Sequence, residues 1–387
     1  MRALIDGDIL VYQIGFAMQN TVWQAIDAKG AVLAESEERD NILGYIENFP
    51  EYSIGKRIEE APFAHCINAL NGVIQKICRE VGANSYRIYL TGKGNYREER
   101  ATIMKYKGNR SAPKPIHYEG IRKYLVDVQK AVMVTGMEAD DALGIIYTKT
   151  ADGEHINTSK DPNRPCWIKP ERCVICSIDK DLLTIPGLHY SFKKDKERKV
   201  EVDESSATRA FYMQLLTGDS TDNIVGIPKI GEVTAGKLLE KAQDERDMAK
   251  IVYGEYVRYY GAEPFKYPHW SAYKDPAATF TKRELLDDVP DHLMLDGTAY
   301  SMMLENADLL WILRKAPAPD GSHFWIPPLF QDEIDSINPS EPPSKKQADL
   351  KALALDLDNG KAVEEPEEDT LEDENGNKVY WNRSFTK

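Results

Sequence analysis

The chain has 387 residues, 42% of them hydrophobic and 29% charged, with 63 acidic against 49 basic side chains and five cysteines. This is ordinary globular composition with room for two or three domains, which excludes a fibrous or wholly disordered protein, and an odd, sparse cysteine count fits a reducing cytoplasm better than a disulfide framework. No apolar run approaches the roughly 18–20 residues of a membrane span, and Asp6 and Asp8 interrupt what would be the apolar region of a signal peptide, so neither insertion nor export is expected.

The first strand, ALIDGDILVY, is apolar on both sides of an acidic centre, as a buried strand ending in a functional loop would be. Residues 20–62 are polar and without clear period, and are expected to form an irregular insertion. From 64 to 81 the positions Ile67, Leu70, Ile74, Ile77, Cys78 and Val81 keep helical spacing. SYRIYLT (85–91) reads as a strand, and the basic stretch 98–124 closes in an amphipathic helix carrying Ile121, Tyr124, Leu125 and Val128. KAVMVTG, EADDALGIIYTK and RCVICSID then read as strand, helix and strand. Strands alternating with helices predict parallel crossover units, hence a doubly wound α/β domain over about residues 1–202.

From 203 to 330 the chain reads as largely helical, opening on the acidic, serine-rich cap of DESSATRAFYMQLL. GIPKIG places a glycine-rich turn before a good helix. After Pro327 the sequence becomes proline-rich and then acidic. Residues 331–387 carry 15 acidic and 7 basic side chains, and EEPEEDTLEDE holds eight acids in eleven residues. This segment is expected to be a disordered tail, and its terminal KVYWNRSF leaves room for an unidentified docking partner.

The acids recur where chemistry is expected. In an open α/β sheet, ligands bind beyond the carboxyl ends of the strands. Asp6 and Asp8 end the first strand; Glu138, Asp140 and Asp141 follow VMVTGM; Asp179 and Asp181 follow CVICSI; Asp219 and Asp222 open the helical half. Any one pair reads more readily as helix caps. Four successive clusters are harder to explain that way, because converging carboxylates raise one another's pKa unless a counter-charge is present. Hard oxygen ligands suit Mg²⁺ or Mn²⁺, and two such ions about 4 Å apart make a phosphoryl-transfer clamp.

Net charge is −14, yet residues 93–123 hold nine basic against three acidic side chains. Lys93, Arg97, Arg100, Lys105, Lys107 and Arg110 are interleaved with Tyr96 and Tyr106, a pattern for phosphate contacts and base stacking; in isolation it reads more readily as a solvated helix face, and beside the acids the balance shifts to binding. The turn around Gly226, Lys229 and Gly231 offers backbone N–H groups at a helix N-terminus, either a phosphate cradle or a plain helix entry. Cys173 and Cys176 lie three apart in a strand, facing opposite ways, which speaks against a zinc pair.

In order, LIDGD (4–8), NYREERATIMKYKGNR (95–110), MEADD (137–141), SIDKDLL (177–183) and GDSTDNIVGIPKIG (218–231) resemble the motifs of the phage and bacterial 5′→3′ exonucleases, the flap endonuclease family. The resemblance covers roughly residues 1–330, apart from 20–62 and 151–170. It implies a PIN-like parallel-sheet nuclease domain with a helical arch at about 93–124, followed by a helix–hairpin–helix DNA-binding domain. Asp6, Glu138, Asp140 and Asp141 would serve a first metal cluster, and Asp179, Asp181, Asp219 and Asp222 a second. Lys107, Arg110 and Arg97 would meet the scissile phosphate. The 226–231 turn would grip duplex DNA through a monovalent cation such as K⁺. One departure is that the family's aspartate at the end of the second strand is replaced near Thr91, and Asp8 is the candidate stand-in.

The function implied is metal-dependent hydrolysis of DNA at 5′ ends and flaps by a cytoplasmic monomer without membrane contact, leaving 5′-phosphates. Two alternatives use the same residues: a structure-specific DNA-binding protein with weak cleavage, and a primer-removing nuclease acting on RNA–DNA hybrids.

Overall fold

The computed structural model describes residues 1–49, 51–151, 172–193, 198–315 and 322–337. The loop expected at 151–170 lies outside the described residues from 152 on, and the acidic tail does so from 338 on. Residues Met1–Pro342 form one compact unit.

The chain opens with β1 (Arg2–Asp6) and α1 (Gly7–Ala17). There follow β2 (Gln19–Ile26), β3 (Val32–Ser36), α2 (Arg39–Ile46), β4 (Ser53–Glu60) and α3 (Phe63–Val81). Next come β5 (Ser85–Thr91), α4 (Tyr96–Arg100), α5 (Tyr118–Asp127), β6 (Val132–Val134), α6 (Ala139–Ala151), β7 (Cys173–Cys176), β8 (Gly187–Ser191) and β9 (Arg198–Val202). The central sheet has the order β6-β5-β1-β7-β8-β9. All its pairs are parallel except β8 with β9. The expected α/β class with a parallel sheet is what the structure has.

Strand periodicity decides the layers. Ala3 and Ile5 of β1 face a core with Leu10 and Val11 of α1, Leu70 and Ile74 of α3, and Ile121 and Leu125 of α5. Leu4, between them, faces the opposite core with Leu143 of α6. Burying each such side chain contributes roughly 1.5–3 kcal/mol. The turn from β1 into α1 has no spare residue: Asp6 caps the helix by accepting from the Ile9 N–H (3.1 Å). A Cβ on Gly7 would collide with the Tyr89 carbonyl and the side chains of Ile88 and Leu90.

The insertion departs from expectation. Residues 19–60 are not irregular: β2 pairs antiparallel with both β3 and β4, and α2 packs on this small sheet through Ile42. Its apolar residues are spread too thinly for a sequence pattern, and backbone pairing along all eight residues of β2 makes up for them.

Beyond β9 come α7 (Glu204–Thr217), the short hairpin of β10 (Gly218–Asp219) and β11 (Ile224–Val225), α8 (Glu232–Leu239) and α9 (Glu245–Tyr260). The pair β12 (Phe265–Pro268) and β13 (Met294–Gly297), then α10 (Ala299–Leu310) and α11 (Gln331–Ser336), complete the described chain. Phe211, Leu215, Val252, Tyr256, Met303 and Ala307 centre the core of this part. Two findings adjust the expected boundaries. Ala101, Ile103, Met104 and Tyr106, from the stretch expected to be the helical arch, are buried in the same core. Of the residues assigned to the tail, 331–336 form α11, with Ile334 and the following Ile337 against that core and Glu333 paired with Arg246 (2.6 Å) and Lys250 (2.7 Å).

Candidate active site

The carboxyl ends of β1, β6 and β7 carry the acids, and the β10–β11 hairpin brings two more. Asp6 is 2% exposed and accepts from the Ser177 hydroxyl (2.8 Å). Asp179 accepts from the Asp181 N–H (2.9 Å), and Asp181 from the Gln214 amide (2.6 Å). Asp140 sits in the first turn of α6. Burial first, and then each other's charge, push these acids up. Asp6 rises to about 7 with Asp8 and Asp179 contributing. Asp181 rises to about 8 under the added influence of Asp179 and Asp219. Asp140 is raised well above its ordinary range by burial, Asp6, Asp179 and Glu138, and Asp179 is raised by burial, Asp222 and Asp219.

Among the described residues none of these four acids has a Lys or Arg within ion-pair distance, and no three His, Cys, Asp or Glu side chains close on one point as a ready-made ligand set. A group of oxygen donors, one buried and three partly buried, with no ion-pair partner fits a hard divalent cation. The sign of the pH effect follows. Up to about pH 3.8 folded and unfolded chains both hold these protons. Above it the unfolded chain releases them first, so stability of the metal-free protein falls until the pH passes about 7–8. Mg²⁺ should therefore raise the melting midpoint more at pH 8 than near pH 5.5. Equal shifts in a thermal melt at both pH values would show that these carboxylates are not where the ion binds.

A second set of acids is already neutralised by the protein. Lys107 pairs with Glu138 and lies 3.5 Å from Asp222, and Arg110 reaches Asp222 at 2.5 Å. Glu138 also accepts from Asn95 and Tyr106, both at 3.0 Å. Burial raises the Glu138 carboxyl, but Lys107 and Arg97 outweigh it and hold the group below its ordinary value. Asp8 pairs with Arg122 (2.7 Å) and accepts from the Thr91 N–H (2.9 Å), which puts it beside the strand end where the expected acid is missing. Asp219 accepts from the Thr221 N–H (2.8 Å) in the β10–β11 hairpin.

Several expected roles are corrected by this geometry. Arg97 is 1% exposed and Asp141 fully buried; they form a two-pronged pair at 2.6 and 2.9 Å. Arg97 also donates to the Leu309 and Trp311 carbonyls, and Asp141 accepts from the Glu138 and Leu313 N–H groups. With these contacts made, Arg97 cannot reach a phosphate and Asp141 cannot ligate a metal; together they bolt α4 and α6 to the end of α10. Arg97→Ala leaves a buried, unpaired carboxylate, which costs about 3–5 kcal/mol, measurable as a lowered urea midpoint.

Tyr106 is buried, its hydroxyl donating to Glu138 and Asp222, so its ring is not free to stack on a base. Tyr96 is packed edge-on against Phe324 and under Arg97. Arg100 pairs with Asp308 (3.3 Å) and donates to the Ser322 carbonyl. Gly226 is a glycine for an internal reason, since a Cβ there would strike the backbone of Thr217 and Gly218. Lys93 and Lys105 are exposed, Lys105 lying over the Trp270 ring. Lys229, in left-handed conformation, and Gly231, the N-cap of α8, are exposed at the mouth of that helix. Sequence reasoning missed Ser177, Gln214 and Arg122. The serine and glutamine leave no sequence signal; Arg122 lay unread within the counted basic stretch.

No family model matches the sequence. Over 165 residues the chain is 30% identical to a 5′-3′ exonuclease of Buchnera aphidicola subsp. Schizaphis graminum, a match covering 41% of this chain and 54% of that protein. This is a similarity to a 5′-nuclease over part of each chain. It is also 31% identical over 153 residues to DNA polymerase I of Rhizobium leguminosarum, covering 36% of this chain and 13% of the polymerase. The chain thus spans about half of one 5′-nuclease relative and a small part of the other. Among solved structures, the T5 D15 protein crystallised with metal ions is similar at a TM-score of 0.39 and 17% identity, over 64% of this chain and 77% of that one.

Proposed function

We propose that the protein is a divalent-metal-dependent 5′→3′ exonuclease and flap endonuclease acting on DNA. The observation that carries this reading is the array of four acids without an ion-pair partner, buried Asp6 and partly buried Asp140, Asp179 and Asp181, with Lys107 close enough to Asp140 and Asp179 to act on their charge. The four acids would hold Mg²⁺ or Mn²⁺, with Glu138, Asp219, Asp222 and Asp8 at the margins. Bound there, such ions supply Lewis-acid polarisation of a phosphodiester and acidification of an attacking water.

The chain's own part is positional and electrostatic. Lys107 and Arg110 would exchange their carboxylate partners for the phosphate, which would free Glu138 and Asp222 to help hold a cation. Two cations aimed at developing phosphate charge stabilise the transition state more than the ground state. The exposed N-terminus of α8, with Lys229 and Gly231, would contact duplex backbone, as a helix–hairpin–helix aided by K⁺ does. DNA with 5′ ends or flaps is the proposed substrate, RNA–DNA hybrids a second, and the protein would act as a cytoplasmic monomer in replication, repair or primer removal. No helix of the described residues is long and apolar enough to cross a membrane.

The test is a flap labelled at its 5′ end, incubated with Mg²⁺ or with excess EDTA, beside a matching RNA–DNA hybrid. Metal-dependent release of products with 5′-phosphates supports the reading. Binding without cleavage at any metal concentration leaves the DNA-binding alternative in its place.

A further inference from the structure

The turn carrying Lys107 is tied to the acidic hairpin by amide side chains from both sides. Asn109 donates from its side chain to the Ser220 carbonyl (2.8 Å), and Asn223 donates back to the Lys105 carbonyl (2.9 Å). Between them the Lys107 N–H donates to the Asp222 carbonyl (2.9 Å), and Arg110 Nε to the Thr221 carbonyl (3.3 Å). These bonds join segments more than a hundred residues apart in sequence. Lys107 and Asn223 both adopt left-handed backbone, φ 54° and 61°. For lysine that conformation is unfavourable, and it persists only where surrounding contacts hold it.

From this clasp we infer that Asn109 and Asn223 are positioning residues: they fix the Lys107 turn against the Asp219–Asp222 hairpin, so that the cation and the second group of acids arrive at a phosphate as one preassembled unit. The inference rests on the nuclease reading and deepens it. Neither amide touches the carboxylates or would touch the reacting phosphate; each acts only through the backbone that bears Lys107, Asp219 and Asp222. An ammonium on a four-carbon stem depends on its backbone for aim, and an error of about 1 Å in a reacting group can cost on the order of 10²-fold in rate. The buried stem at 101–104 fixes where the turn begins, but the turn's far side, from Gly108 to Arg110, meets the hairpin only through these contacts and the Arg110–Asp222 ion pair among those described.

The test compares Asn109→Ala and Asn223→Gly with the wild type. Glycine keeps the left-handed backbone at position 223 while removing the donor. Three quantities are read: single-turnover cleavage of a 5′-flap DNA in Mg²⁺, affinity for the same flap in Ca²⁺, and the melting midpoint. Each variant is expected to lower the cleavage rate 10- to 100-fold, with flap affinity within twofold and the midpoint nearly unchanged. Placed in a Lys107→Ala background, Asn109→Ala should cost clearly less than it does alone, because Arg110 is then the one cation of the turn left for the amide to aim. Variants that cut within twofold of an active wild type overturn the inference alone, as does a loss of equal size with and without Lys107. A wild type that does not cut overturns the nuclease reading and this inference together.

Discussion

Asp179→Asn is expected to lower single-turnover flap cleavage by about 10³-fold, the effect of several kcal/mol of lost metal-based stabilisation, while DNA binding survives. The structure adds a second, opposite-signed readout. Burial raises the Asp179 carboxyl, and the charges of Asp222 and Asp219 raise it further. A neutral amide removes that repulsion, so the metal-free variant should melt higher than the wild type at pH 8, and Mg²⁺ should shift its midpoint less. Loss of activity together with loss of stability would instead identify Asp179 as a structural residue that holds the Asp181 N–H.

Lys107→Ala is expected to lower the same rate by about 10²-fold, the size associated with one preorganised electrophilic group. Without the ammonium, burial of Glu138 is opposed mainly by Arg97, so the Glu138 carboxyl rises and the pH–rate profile should move to higher pH. Duplex affinity should change little, because the exposed turn at Lys229 and Gly231 lies in a different part of the chain. Normal cleavage with weakened duplex binding would make Lys107 a simple phosphate contact.

The parallel sheet and the acids at its edge were legible because β1, β6 and β7 are short, apolar and end in or are followed within four residues by a carboxylate, and the topology of such sheets leaves little choice about where those ends gather. What the basic stretch would do was not legible. Arg97, Arg100, Lys105, Lys107 and Arg110 look alike in sequence, yet Arg97 is the most deeply buried of them and Lys105 is exposed. Which cation turns inward depends on partners 40 to over 200 residues away, Asp141 and the carbonyls of Leu309 and Trp311. The one local hint was Asp141 itself, four residues before the buried Ile145 and so on a face of α6 that the core claims. The inserted sheet escaped for the opposite reason, since regular pairing there is carried by backbone rather than by an apolar stripe.

The buried stem at 101–104 also sets an order of events during synthesis. Its backbone N–H groups at Thr102 and Ile103 are held by Glu305, its carbonyls at Ala101 and Thr102 by Trp270, and its carbonyl at Ile103 by Arg283. None of these partners exists when the sheet strands on either side of the stem leave the ribosome. At about 5–20 residues per second, Glu305 follows Thr102 by roughly 10–40 s. For that interval the nascent chain can form much of its sheet and cluster its acids, but the lysine that completes the site has no platform. Cleavage would be withheld until translation has passed α10, so a ribosome stalled in the helical half should display a folded sheet and no nuclease.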